Sequence, residues 1–129
     1  MAKGLKDFVA AAKATVEEIS TADVESKLDS AMLLLDVREP GELQAGLLPG
    51  ALNVPRGVLE LKADLEFPMR EARLADRDQE IVIYCASGGR SLLAAATLLD
   101  MGFTNVKSMA CGFGGWQQEG RKIASSVHQ

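Results

Sequence analysis

The sequence predicts an α/β domain built on a parallel sheet, and three observations predict it. "MLLLDV" (32–37) and "EIVIY" (80–84) are short continuous apolar runs, the pattern of strands buried on both faces. "SLLAAATLLDMG" (91–102) follows the second run as a strong helix, with Leu92, Ala95, Ala96 and Leu99 at helical spacing and Gly102 as a stop. A third strand-like stretch, "FTNVKSM" (103–109), leads into "GFGGWQQEG" (112–120), a helix entered through glycines. Strands alternating with helices at this spacing make βαβ units and a parallel sheet.

The remaining elements follow in order. In "LKDFVAAAKATVEEI", Leu5, Phe8, Val9, Ala12 and Val16 recur at helical spacing. An amphipathic helix packed on the domain's edge is expected. Its polar face is mixed in charge, which argues against a membrane-surface helix. "STADVESKLDS" (20–30) reads as a second helix capped by Ser20 or Thr21. "REPGELQAG" is a turn and a short helix from near Pro40, and "LLPGALNVP" is turn, short strand and turn. "RGVLELKADLEFPMREARLAD" is helical in pieces, with a break at Pro68. No repeat or linker interrupts the chain, so one domain is expected over residues 1–129: an N-terminal helical extension (1–19) on a core (20–120).

Composition narrows the function. The 129 residues are 47% hydrophobic and 25% charged, enough for a core without disulfides or a structural metal. The net charge of −4 gives no general attraction to nucleic acid or anionic lipid, so neither is expected as a partner. No stretch reaches the length of a membrane span, and the charged N-terminus lacks the core of a secretory signal. Two cysteines make neither a disulfide framework nor a metal site, and no metal or cofactor is expected. The chain reads as cytoplasmic, with reduced thiols. The single histidine, His128, is next to last, which argues against Cys–His catalysis.

Chemistry concentrates at Cys85-Ala86-Ser87-Gly88-Gly89-Arg90-Ser91, between a strand and a helix. Ligands bind at such carboxyl strand ends in parallel sheets. A thiol reacts as its thiolate, and three features favour that anion. Unpaired N–H groups at the helix start attract negative charge. Gly88 and Gly89 permit a nest of inward N–H groups. Arg90 adds a permanent positive charge. Ser87 and Ser91 supply hydroxyls, and Ser91 is also a candidate cap. A persulfide, whose terminal sulfur is anionic, suits such a cradle. The bland alternative is a cysteine that merely fills the end of a buried strand; the Gly-Gly-Arg-Ser after it weighs against that.

With these residues in view, the sequence resembles the rhodanese-like domain family, of the single-domain sulfurtransferase type. The resemblance runs from about Ser20 to Gly120 and is carried by "LLLDVREPGEL", "GLLPGALNVP", "IVIYCASGGRSLLAAATLLDMGF" and "GFGGW". It implies a rhodanese-like fold, with a parallel sheet of about five strands flanked by helices. It implies a catalytic cysteine, matched by Cys85, that takes a sulfane sulfur from thiosulfate or a related donor and passes it to cyanide or a thiol. Residues 86–90 match the loop that cradles the persulfide, and Arg90 a position suited to an anionic donor. Asp36 and Arg38 match a strand-end pair, expected to be an ionic lock beneath the site. A protein sulfur acceptor is left open. Two departures stand out: Leu47 replaces the family's usual histidine, and Cys111 replaces a small residue.

Cys111 follows a strand expected to neighbour that of Cys85. It is a candidate resolving thiol, although filling space between loop and sheet is the simpler reading. Arg56, after "ALNVP", either borders the pocket or is a solvated surface arginine. Rival functions are a cysteine-dependent phosphatase, an arsenate reductase, and a non-catalytic sulfur-carrier or regulatory module. The four residues between Cys85 and Arg90 suit one sulfur atom better than a tetrahedral oxyanion. An intact cysteine loop argues against a purely binding role.

Overall fold

The computed structural model describes residues 2–125, so His128 lies outside the described residues. Five strands form one parallel sheet: β1 (Glu17–Ile19), β2 (Leu33–Asp36), β3 (Leu52–Asn53), β4 (Ile81–Tyr84) and β5 (Val106–Met109). Their spatial order is β1-β5-β4-β2-β3, so β4 lies at the centre. Helices α1 (Leu5–Thr15), α2 (Thr21–Ser26), α3 (Leu59–Ala63), α4 (Gly89–Asp100) and α5 (Gly112–Gln118) cover the sheet, with 3-10 turns at Pro40–Ala45, Arg56–Val58 and Ala72–Leu74.

The two faces of the sheet carry separate cores, and the two-residue period of a strand sorts side chains between them. Leu33, Leu35, Ile81 and Ile83 join Leu92, Ala95 and Leu98 of α4 in one core, together with Cys85. Leu34, Val82 and Tyr84 face the other, with Met109, Phe113 and Trp116. Burial on both faces explains why "LLLD" and "IVIY" are continuous apolar runs rather than alternating ones. The same alternation puts Cys85 on the α4 side.

The structure departs from the sequence reading at the N-terminus. The helical spacing runs to Val16, but α1 stops at Thr15, and Glu17–Ile19 form the edge strand β1. Thr15, Val16 and Ile19 are β-branched and suit a strand better than a helix. Pairing with β5, which places Glu17 beside Lys107, decides the outcome. Residues 17–19 therefore belong to the sheet. The helix packs on α4 through Ala12 and, in part, Val9; Leu5 and Phe8, expected on the packed face, remain largely exposed.

Elsewhere the local signals hold. The Ser20 hydroxyl accepts from Asp23 N–H at 3.1 Å, capping α2, although this helix ends sooner than expected. On α4 it is Leu98 rather than Leu99 that is fully buried. Leu47 is buried in the Tyr84 core, so the departure from histidine is filled by apolar packing.

Candidate active site

Cys85 is the first residue beyond β4, only 1% exposed. The chain then curls back over its sulfur. Gly88 lies at φ +115°, a left-handed conformation that glycine adopts without steric cost, and α4 starts at the next residue. This turn aims the Gly88 N–H at Cys85 Sγ (3.1 Å), and the first turn of α4 adds the Ser91 N–H (3.4 Å). The Ser91 hydroxyl stands 3.6 Å from the sulfur and donates to Gly88 C=O at 3.0 Å. Burial pushes the Cys85 thiol up, but hydrogen bonds from Ser91, Gly88 and Ser87 outweigh it and leave the thiol below its ordinary value. Ala86 and Ser87 form the outer bend, and Ser87 is exposed.

Two supports hold this loop. Phe113 N–H donates to Cys85 C=O (2.8 Å) and Gly114 N–H to Ala86 C=O (3.0 Å), which fastens the first turn of α5 to the loop. That approach requires glycine at 112. A Cβ there would stand 2.6 Å from both carbonyl oxygens, and φ is +54°. The second support is Ser108 of β5, 1% exposed, whose hydroxyl donates to Ser91 Oγ at 2.8 Å. Sequence reasoning missed Ser108. The available signal was a polar residue in a strand whose neighbours are buried.

Asp36 and Arg38 form the lock that the resemblance implied. Arg38, 2% exposed, engages Asp36 through Nη2 (2.8 Å) and Nε (3.1 and 3.2 Å). Its remaining donors reach Glu42 C=O (3.2 Å) and Gly46 C=O (2.8 Å). Its guanidinium also lies 4.2 Å from the Phe113 ring centre. A buried ion pair is tolerable only when its donors are satisfied this way. The lock thus spans the β2 end, the Pro40–Ala45 turn and the start of α5.

The remaining sequence candidates are placed differently. Arg90 does not stand free above the loop. Both its terminal nitrogens engage the Glu42 carboxylate, at 2.6 and 2.9 Å. Glu42 Oε1 also accepts from Glu39 N–H at 2.9 Å. The Arg90 contact holds the Glu42 carboxyl down at about 2, against the upward push of partial burial. Glu42 was not singled out in the sequence, where one acid among several in "REPGEL" gave no signal. Arg56 turns to Glu60 (2.9 Å) and Thr97 (3.0 Å), further along α4 than Ser91. There it lines a cavity of about 620 Å³ between α1 and α4, with Phe8, Ala12 and Leu93 among its walls. Cys111 is the exposed N-cap residue of α5 at φ +67°, and both cysteines are free thiols.

A family model described as "Rhodanese-like domain" matches residues 20–119. The chain belongs to the rhodanese-like domain family. Other members bear this out. A sulfurtransferase of Allochromatium vinosum is 31% identical over 112 residues, covering 85% of this chain and 96% of its own length. Thiosulfate sulfurtransferase 16 of Arabidopsis thaliana is 37% identical over 89 residues, covering 67% and 74%. Among solved structures, the human single-domain sulfurtransferase superposes with a TM-score of 0.71 at 29% identity, covering 81% of this chain and 97% of that one. A Rhodopseudomonas palustris protein of unknown function, described as a possible tyrosine phosphatase, superposes with a TM-score of 0.90 at 34% identity, covering 95% and 96%. The chain therefore carries the α/β rhodanese-like fold of a family that includes single-domain sulfurtransferases. No helix among the described residues is long and apolar enough to cross a membrane.

Proposed function

We propose that this rhodanese-like domain moves a sulfane sulfur from a small donor, thiosulfate or a related compound, to cyanide or a thiol through a persulfide on Cys85. The observation that carries this reading is the pair of backbone N–H groups, from Gly88 and Ser91, aimed at a buried sulfur. Fixed donors at the place where charge must sit cost no reorganisation during the reaction. The Cys85 thiolate attacks the outer sulfur of thiosulfate, and the S–S bond electrons leave with sulfite. The new terminal sulfur extends into the loop formed by residues 86–90. An acceptor then attacks that sulfur and returns the thiolate. Two half-reactions through one covalent intermediate predict ping-pong kinetics. Asp36 and Arg38 act beneath the loop as structural support. A thiol-based cycle of this kind suits the reducing cytoplasm. A human relative named for thiosulfate:glutathione sulfur transfer supports a thiol acceptor.

The phosphatase description of the R. palustris neighbour supplies a second reading. Against it stand the short loop and the commitment of Arg90 to Glu42, since phosphoryl transfer needs donors free for three equatorial oxygens. Intact-protein mass after incubation with thiosulfate decides between them. The native chain is expected to gain one sulfur atom and lose it to cyanide, and Cys85→Ser to gain none. Turnover in Cys85→Ser should fall by at least about a thousandfold. No gain from thiosulfate, an alkyl persulfide or mercaptopyruvate, with hydrolysis of an aryl phosphate, would overturn the sulfurtransferase reading.

A further inference from the structure

The arginines that follow strand ends at this edge of the sheet share one property. Arg38, after β2, is paired with Asp36; Arg56, after β3, with Glu60; and Arg90, after β4, with Glu42. Each therefore brings its own neutralising carboxylate. The arrangement around the Cys85 loop is the most pronounced. Glu42 spans both terminal nitrogens of Arg90, the Glu39 N–H holds one of its oxygens, and the Glu39 side chain is itself exposed. Two guanidinium groups, Arg38 and Arg90, thus face three carboxylates: Asp36, Glu39 and Glu42. The local balance excludes the simplest account of Arg90, a free cation waiting for a dianion.

We infer that Glu42 is a specificity-determining residue. By occupying Arg90 it selects sulfur donors that bring little negative charge, and so disfavours dianionic thiosulfate relative to a monoanionic or neutral carrier of sulfane sulfur. This rests on the sulfurtransferase reading and refines it. The physical reason is additive repulsion. A donor charge a few ångströms from a carboxylate near the surface meets a penalty of about tenfold in affinity, and a dianion meets it twice. The backbone donors at Cys85 Sγ are unaffected, because they serve the transferred sulfur rather than the leaving group. Glu42 is placed by its 3-10 turn, with its own C=O held by Arg38, so its carboxylate is fixed against Arg90.

Methanethiosulfonate and thiosulfate test this directly. Both donate the outer sulfur of an S–S(VI) bond to the Cys85 thiolate. The first is a monoanion and releases methanesulfinate; the second is a dianion and releases sulfite. The charge balances in each case, and no external oxidant or reductant is needed. Initial rates with cyanide as acceptor are compared for the native chain and Glu42→Gln, in which the amide oxygen still accepts from Arg90. The substitution should raise kcat/KM for thiosulfate about tenfold more than for methanethiosulfonate, chiefly through KM. Glu39→Gln, at an exposed side chain, should move the same ratio in the same direction by less, and decides the matter if Glu42→Gln does not fold. Equal gains for both donors, or loss of both with an unchanged melting temperature, would overturn the inference and leave Glu42 as a clamp on the loop. No sulfur on Cys85 in any of the three proteins, from either donor or from an alkyl persulfide or mercaptopyruvate, would overturn the sulfurtransferase reading itself.

Discussion

Cys85 and Cys111 occupy the same kind of place and meet opposite environments. Each follows a parallel strand, β4 or β5, and each precedes a helix entered through glycine. Cys85 is buried and receives two backbone N–H groups at its sulfur. Cys111 is exposed and sits at the left-handed N-cap of α5, with its C=O accepting from Gly115 N–H at 2.9 Å. The difference lies in loop length. Three residues separate Cys85 from α4, enough for the chain to turn back over the sulfur. None separates Cys111 from α5, so the cysteine is itself the turn. A thiol at a strand end thus receives backbone N–H groups only with chain to spare after it, and the type of residue is not sufficient.

The largest effect should come where the two loops touch. Gly112→Ala pushes a methyl carbon to 2.6 Å from the Cys85 and Ala86 carbonyl oxygens. A loss of about 2–4 kcal/mol is expected in denaturant unfolding, with slower sulfur loading on Cys85. Wild-type stability would show that the α5 turn does not position the loop.

Next in size is the serine relay. Ser91→Ala removes the hydroxyl beside Cys85 Sγ and leaves the buried Ser108 hydroxyl without its acceptor. The cost should be about 1–2 kcal/mol, and the pH profile of Cys85 alkylation should move upward. The sign follows from linkage. The folded thiol is lowered, so ionisation adds stability above the unfolded thiol's value and loses it as pH falls through the folded value. Ser108→Ala should act in the same direction, more weakly. An unmoved profile in both variants would remove the hydroxyls from the account.

The Arg90–Glu42 pair gives a smaller, pH-dependent term. Glu42 is held at about 2, so its contribution is present above the ordinary carboxyl value near 4.5 and lost as pH falls toward 2. Glu42→Gln should flatten that part of the acid unfolding curve. The effect is modest because its side chain is 35% exposed. The smallest expected effect is at Cys111. Cys111→Gly relieves a left-handed non-glycine residue and should raise stability by up to about 1 kcal/mol, with sulfur loading on Cys85 unchanged. A large loss of loading would revive Cys111 as a participant.

Much of this was legible beforehand. The runs "LLLD" and "IVIY" marked the central strands because residues buried on both faces must be apolar throughout. The capping serine of α2 was legible because an N-cap bond is local. β1 was not, since three residues with two glutamates become a strand only when β5 supplies hydrogen bonds. The partner of Arg90 was not either. Glu42 is 48 residues away, and nothing in "REPGEL" distinguishes one acid from another.

The sequence by itself determined the α/β class, the strand-to-helix junction holding Cys85, the Asp36–Arg38 lock and the family. The first two rest on short-range patterns, two-residue and helical periods and glycines beside a helix start, whereas the lock and the family rest on the motif resemblance. Only the tertiary structure decided which groups meet at that junction. It set Ser108 behind Ser91, Phe113 on the Cys85 carbonyl, and Glu42 against Arg90. The physical reason is that a side chain's partner across a sheet or loop is fixed by register and packing. Those settle only when all five strands are in place, whereas the conformation of a turn or a cap is settled within a few residues of chain.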